Sequence, residues 1–302
     1  MVDDVLRYGN VENADVERAT SNFNGSYLQG ISFCTTPIEL ISNDGNEEVI
    51  STATGFFWRH GNRTFLITNW HVLSGMNAIT EQLNRKAFIP AQLRFYGLEL
   101  NFKGKTVALR RRQWILEFDE GMQTILGTPV KENGTAIDVW GVHISNGLVV
   151  TRDNDRKGFV GADKFSGHLN ENDFEKLISN VGDDCFVLGY PLNNSDGARV
   201  PVWKRGTIAS ETSFGVDGRP VFLIDAAVTE GMSGSPVFRR ETGPLFRNEK
   251  TGNLEKSVYF EFIGIYAGRL QSKKLEATNL GYVWYGNLIP SVIDHYDSFG
   301  FS

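Results

Sequence analysis

Between Gly30 and Tyr285 the chain is a series of short apolar runs closed by turns, a rhythm that favours β-structure over helix. Residues 38–41 (Ile-Glu-Leu-Ile) are followed by Asn43-Asp44-Gly45-Asn46, which has the composition of a turn. Residues 49–58 and 64–68 flank His60-Gly61-Asn62 and read as a hairpin. Further strands are expected at 31–34, 88–100, 106–118, 136–144, 184–188, 200–209, 220–227, 234–238, 259–266 and 279–285. Asn133-Gly134 reads as a turn and 243–254, with its Gly and Asn residues, as a loop. Helix is expected only in short peripheral pieces at 14–20, 174–178 and 287–297, the last with Pro290 in its first turn. Two sets of about six strands, separated by a polar stretch, predict an all-β fold of two antiparallel six-stranded barrels. The expected boundaries are a polar N-terminal arm at 1–29, an N-terminal barrel at 30–150, a linker at 151–180 and a C-terminal barrel with a terminal helix at 181–302.

Charge and apolar patterning narrow the partners. A net charge of −6 argues against nucleic acid or an anionic membrane surface. Arg110-Arg111-Arg112 is the one basic cluster and reads as a solvated strand end or loop. No apolar run approaches the roughly 20 residues that span a bilayer. Met1-Val2-Asp3-Asp4-Val5 has neither the basic nor the apolar region of a signal peptide, so a cytoplasmic protein is expected. Two cysteines, Cys34 and Cys185, are too few for a disulfide scaffold, and the sequence does not fix whether they pair.

Chemistry concentrates at Gly231-Met232-Ser233-Gly234-Ser235-Pro236, where glycines bracket a serine after the apolar run Val221-Phe222-Leu223-Ile224. Glycine admits the tight backbone that an exposed nucleophile requires. A serine hydroxyl needs a base to take its proton, and histidine is suited to that near neutral pH. A carboxylate on the other ring nitrogen fixes the tautomer. His71, Asp138 and Ser233 are the candidates, in the chain order His, Asp, Ser. His60 and His143 compete for the base. His60 falls in a hairpin turn, and His143, five residues after Asp138, falls on the opposite face of the expected strand. Asp138 interrupts an otherwise apolar strand, and a buried charge needs a partner. Asp225 is the alternative acid, but it lies close in sequence to Ser233.

Thr68-Asn69-Trp70-His71-Val72, Ile137-Asp138-Val139 and the stretch from Asp225 to Pro236 together resemble the trypsin-like serine peptidases. The likeness is nearest to the high-temperature-requirement (Deg-type) bacterial branch. Gly55-Phe56-Phe57, Leu188-Gly189-Tyr190-Pro191, Gly206-Thr207-Ile208 and Ile263-Gly264-Ile265-Tyr266-Ala267-Gly268 are similar to further landmarks of that family. The resemblance covers about residues 50 to 285. It implies the two-barrel chymotrypsin fold and cleavage of protein or peptide substrates without a metal or cofactor. In that scheme Ser233 is the nucleophile, His71 the base and Asp138 its orienting acid. The backbone N–H groups of Gly231 and Ser233 form an oxyanion hole. Ala227, Val228 and Thr229 face Tyr266, Gly268 and Arg269 across the substrate pocket.

Three departures from the family bear on function. Met232 stands where digestive relatives carry an Asp that pairs with a freshly cut N-terminus, and no Ile-Val-Gly-Gly activation site occurs in residues 1–60. The chain is therefore expected to be competent as translated, or controlled by a regulatory protein partner or by mobile loops at 145–180 and 239–256. No peptide-binding (PDZ) domain is expected after the barrels. Ala267 replaces a serine that supports the catalytic Asp in many relatives. The reading that follows is a serine endopeptidase. The rivals are a peptidase-fold binding module with a collapsed hole and an esterase using the same triad. In the family the residue six before the serine sets the pocket floor. Ala227 there carries no charge to attract Lys or Arg and favours a small or medium apolar side chain. Arg269, turned inward, favours Glu or Asp instead. The apolar version is preferred, because arginine more often carries its charged head to solvent.

Overall fold

The structure is a computed structural model that describes residues 19–21, 30–42, 48–78, 90–103, 106–118, 126–146, 161–165, 179–191, 200–247, 254–270 and 279–300. The all-β expectation holds, in two unequal bodies. The N-terminal body is a curled half-barrel of seven antiparallel strands in the order β1-β6-β5-β2-β3-β4-β9. Its strands are β1 (Ala19–Ser21), β2 (Thr35–Ile41), β3 (Val49–His60), β4 (Arg63–Thr68), β5 (Gln92–Lys103), β6 (Thr106–Glu117) and β9 (Trp140–Asn146). A separate two-residue ladder, β7 (Lys131–Glu132) with β8 (Thr135–Ala136), is closed by Asn133 and Gly134. Both turn residues have positive φ (49° and 81°), the conformation a two-residue hairpin needs.

The C-terminal body is a closed six-stranded barrel: β10 (Asp184–Gly189), β11 (Val202–Ile208), β12 (Val221–Asp225), β15 (Leu280–Tyr285), β14 (Leu254–Arg269) and β13 (Pro236–Arg247), which returns to β10. Its interior is filled by alternate residues such as Cys185 and Val187 on β10, Phe222 and Ile224 on β12, and Val283 on β15.

Among the described residues two α-helices serve the sheets. The five-residue α1 (Trp70–Ser74) follows β4, and α2 (Ile289–Asp297), with Pro290 in its first turn, follows β15. Helix α2 leaves the barrel and packs on the N-terminal sheet, with Tyr296 edge-on to Phe65 at 5.8 Å. Asp297 takes a bidentate bond from Arg63 (2.5 and 2.7 Å). Apolar contact joins the two bodies directly, since Phe262 of β14 lies 5.3 Å from both Phe56 and Trp58 of β3. Among the described residues no helix is long and apolar enough to cross a membrane.

Several local expectations are corrected. Residues 30–34 form a 3₁₀ turn rather than a strand. The Cys34 thiol donates to Ile31 O and Thr35 Oγ1 to Ser32 O, and such three-residue bonds close a turn. Ala19 and Thr20, expected in a helix, sit in β1, drawn into the ladder of β6. The rest of that expected helix, and the one at 174–178, fall outside the described residues. The three arginines do not end a strand. Strands β5 and β6 pair residue by residue from Gln92–Glu117 to Lys103–Thr106, straight through Arg110–Arg112.

Both ends of the expected loop at 243–254 are strand, because β13 runs to Arg247 and β14 begins at Leu254; residues 248–253 lie outside the described residues. Gly243-Pro244 marks a register shift between Thr242 and Leu245, a bulge in a long hairpin and not its end. The 239–256 gate is accordingly for the most part a paired ribbon. Within the expected linker, residues 162–165 form a 3₁₀ turn whose Asp163 accepts from the Arg59 backbone N–H (3.0 Å).

Candidate active site

His71 stands in the first turn of α1, and that short helix is fixed at every side. Its N-cap residue is Asn69 and its end is set by Gly75, whose φ of 67° lets the Gly75 N–H reach His71 O at 3.1 Å. Trp70 is fully buried and donates its indole N–H to Leu126 O (2.6 Å), while Ser74 Oγ closes on Trp70 O. Asp138 lies in the break between β8 and β9, not inside a strand as expected. The β4–β9 ladder starts only at Thr68–Trp140, and the Asp138 carbonyl accepts from Asn69 Nδ2 (2.7 Å) in place of a strand partner. Asn69 is thus the residue that sets where Asp138 sits.

Both carboxylate oxygens of Asp138 are taken by one residue. Oδ2 lies 2.6 Å from His71 Nδ1, and Oδ1 accepts the His71 backbone N–H at 2.8 Å. This two-point grip answers the question raised by Ala267, since the acid is satisfied without a serine from β14. It also selects the tautomer with the proton on Nδ1, leaving Nε2 as an acceptor. Burial alone would push the imidazolium down. The charge of Asp138 and its hydrogen bond outweigh that, so His71 is held above its ordinary value. The His71 side chain keeps 26% of its surface exposed against 11% for Asp138, so the open side of the pair is the histidine.

The competing histidines lie elsewhere. His60 is exposed at the end of β3, and His143 packs its ring 5.5 Å from Phe65. Asp225 is exposed at the end of β12, facing Thr207 and Leu280 across the barrel ladders.

Ser233 comes from the loop between β12 and β13. The loop turns at Gly231 (φ 88°) and Gly234 (φ 84°), and a Cβ at Gly234 would meet Thr54 O and Thr68 Oγ1 at 2.2 Å each. The serine segment is therefore seated on the end of β4, three residues before His71. The Thr54 N–H donates to Ser233 O at 2.9 Å. Met232, fully buried, points into the barrel core beside Val228 and Val237. An apolar anchor thus holds the middle of the serine loop. Ser233 Oγ and the N–H groups of Gly231 and Ser233 make no hydrogen bond to any described residue. In that loop one hydroxyl and two amide donors are without a partner among the described residues, and so is His71 Nε2.

The expected pocket residues divide into two groups. Ala227 and Asp225 open together onto a depression of about 360 Å³ on the barrel, shared with Asp184 and Arg205. Val228, Tyr266 and Arg269 form the second group. Arg269 is exposed and donates Nε (2.8 Å) and Nη2 to Val228 O. Tyr266 is buried with its phenol pushed up to about 12 by desolvation, an effect the Arg269 cation reduces. Gly268, with φ 128°, occupies a bulge of the β14–β15 ladder between them. Thr229 is half-buried, and its hydroxyl has no partner among the described residues.

Two residues at the site were missed by the sequence reading: Asn69 and Thr54. Asn69 was legible only as part of the histidine motif, and Thr54 only as the residue before Gly55. Cys34 and Cys185 are buried free thiols in different bodies, and burial pushes Cys185 up to about 12. No protein-family model matches the chain, and no curated protein matches it either.

Proposed function

We propose that the protein is a serine endopeptidase of the trypsin-like kind, acting on protein or peptide substrates. The observation that carries this reading is the two-point contact of Asp138 with His71, which leaves Nε2 as the acceptor on a helix that follows the strand end where the Ser233 loop is seated. In the reaction Ser233 Oγ attacks the peptide carbonyl carbon and His71 Nε2 takes the hydroxyl proton. The Asp138 carboxylate stabilises the imidazolium that forms. The oxyanion meets the N–H groups of Gly231 and Ser233, whose lack of other partners leaves them available. His71 then hands its proton to the leaving amine, and water repeats the sequence on the acyl-enzyme.

We keep the apolar preference: Ala227 offers no charge, and Arg269, exposed with Nε and Nη2 on Val228 O, has a solvated cation that does not demand an acidic side chain before the cut. The free buried thiols suit a reducing compartment, which is why we place the protein in the cytoplasm.

A fluorophosphonate probe tests the assignment. Ser233 Oγ bonds to phosphorus, fluoride leaves, and the hydroxyl proton passes to His71. Wild-type protein is expected to label, Ser233→Ala to remain unlabelled, and wild type to cut unfolded casein at sites that mass spectrometry maps. Absence of wild-type labelling refutes the peptidase and esterase readings alike and leaves the binding module. Labelling without casein cleavage, alongside hydrolysis of nitrophenyl esters, selects the esterase.

A further inference from the structure

The structure assigns Thr54, on the N-terminal sheet, the role of a positioning residue that sets the oxyanion hole on the C-terminal barrel. This rests on the peptidase reading given above. Thr54 is fully buried and takes part in four hydrogen bonds. Its N–H donates to Ser233 O (2.9 Å) and its Oγ1 donates to Gly231 O (2.8 Å). The same Oγ1 accepts from the Tyr190 N–H (3.0 Å), and Thr54 O accepts from Thr68 Oγ1 (2.8 Å). One residue thereby joins β3, the end of β4 that leads into His71, the end of β10, and the nucleophile loop.

The geometry follows from where the neighbouring strand ends. The N–H and C=O of Thr54 face the β4 side of β3, where the ladder stops at Phe56–Ile67 and β4 itself ends at Thr68. No strand residue stands opposite Thr54 on that side, and its N–H and C=O go to Ser233 and Thr68. Two glycines make the close approach feasible. A Cβ at Gly189 would lie 2.8 Å from Thr54 Oγ1, and one at Gly234 would lie 2.2 Å from Thr54 O. Neither position admits a side chain without pushing the loop off Thr54.

The two carbonyls that Thr54 holds belong to the residues whose N–H groups form the hole. A peptide unit is planar, so fixing the Gly231 and Ser233 carbonyls fixes the planes that follow each residue. With those planes held from the sheet side and Met232 held in the barrel core, the loop has little freedom to rotate the Gly231 or Ser233 amide away. Digestive relatives reach that state through a new N-terminus. Here the Thr54 hydroxyl, present from translation, supplies the polar half of the constraint and Met232 the apolar half. Thr54 touches no substrate atom and acts only through the loop.

The test compares Thr54→Val, which keeps the branched shape and removes the hydroxyl, with Thr54→Ser, which keeps the hydroxyl. Fluorophosphonate labelling is followed against probe concentration and pH. For Thr54→Val the maximal labelling rate is expected to fall roughly 10- to 100-fold, short of the 10²–10³ for deleting a hole donor outright. The half-saturating probe concentration and the acid limb set by His71 stay in place, because the pocket and the His71–Asp138 pair are untouched. Thr54→Ser is expected to stay within about fivefold of wild type, since it restores the bond to Gly231 O. If Thr54→Val does not fold, Thr54→Cys, a weaker donor of similar size, replaces it with the same expected direction. A wild-type maximal rate in the Val or Cys variant, or equal losses in Ser and Val, overturns the role of Thr54 while leaving the labelled wild type as support for the peptidase. A wild type that does not label overturns both.

Discussion

His71 and Asp138 are carried by segments flanking the open N-terminal sheet, whereas Ser233 and the two free amides are carried by a loop of the closed C-terminal barrel. The two bodies hold their parts differently. The sheet uses directional bonds: Asn69 to the Asp138 carbonyl, His71 to both Asp138 oxygens, Thr54 to two loop carbonyls. The barrel uses volume, burying Met232 completely beside Val228 and Val237. The sheet side is therefore sensitive to the loss of one atom and tolerant of small changes in bulk. The barrel side is the reverse.

The largest expected effect tests the chemistry on both sides. Ser233→Ala should lower turnover of casein roughly 10⁴- to 10⁶-fold with an unchanged melting temperature. Asp138→Asn, one atom changed on the sheet side, should lower it about 10⁴-fold by stabilising the wrong histidine tautomer. Equal rates for wild type and Asp138→Asn would show that the sheet contributes no orienting bond.

Met232→Ala should cost about 2–5 kcal/mol of stability in urea unfolding, whereas Met232→Leu should cost under about 1.5. Activity per folded molecule should hold in the Leu variant. If Met232→Ala keeps full stability, burial does not anchor the loop and the contrast between the bodies fails.

The pH response separates the two histidines that have shifted. His71 is held above 6.5, so the acid limb of kcat/KM should have its midpoint above that of free imidazole, activity falling as pH drops and the base becomes protonated. Its contribution to stability is fully present below pH 6.5 and is lost as pH rises through the raised value. His295 of α2 is shifted the other way, first by burial. Stability linked to it is full above pH 6.5 and declines as pH falls below that, because the unfolded chain takes the proton more readily. His295→Gln should remove that acid-side loss in thermal melts and leave the activity limb where it was. A limb that moved with His295 would assign it to the wrong residue.

The smallest effect concerns the tie from α2 to the sheet. The side chains of Arg63 and Asp297 are 23% and 27% exposed, so after screening Asp297→Asn should cost about 1 kcal/mol or less. The loss should be confined to pH above the usual aspartate range, since Arg63 holds Asp297 low and the benefit disappears on protonation. A larger loss that persists at acid pH would point to packing of α2 rather than to charge.

Much of the barrel was legible because its strands alternate and end at clear turns, as in Val221–Asp225 with its buried Val221, Phe222 and Ile224. Misreadings arose where a side chain outcompeted the strand. Asp138 left the ladder for His71, and Cys34 closed a turn on Ile31. Residues 243–254 were read as a loop, but strands of 12 and 16 residues take in its two ends and absorb Gly243-Pro244 in one bulge. Seven strands in an open sheet, instead of six in a closed one, depend on which edges meet, and local pattern carries no signal for that. At the site the histidine and serine motifs were visible as words in the chain. Thr54 was not, because its importance lies in bonds to residues far along the sequence.

That distance sets an order of events during synthesis. Thr54 and Gly231 are 177 residues apart, and Arg63 and Asp297 are 234 apart. At ordinary elongation rates about 10–35 s separate the appearance of Thr54 from that of Gly231. Through that interval a nascent chain carries, by then or soon after, a base and its acid with no hydroxyl to deprotonate and no amides to receive an oxyanion. The back of its first sheet also waits for α2, which follows the barrel in the chain. On the peptidase reading, a chain still lacking the Ser233 loop is harmless to itself and to its neighbours, and timing of synthesis does what a removable pro-segment does in a zymogen.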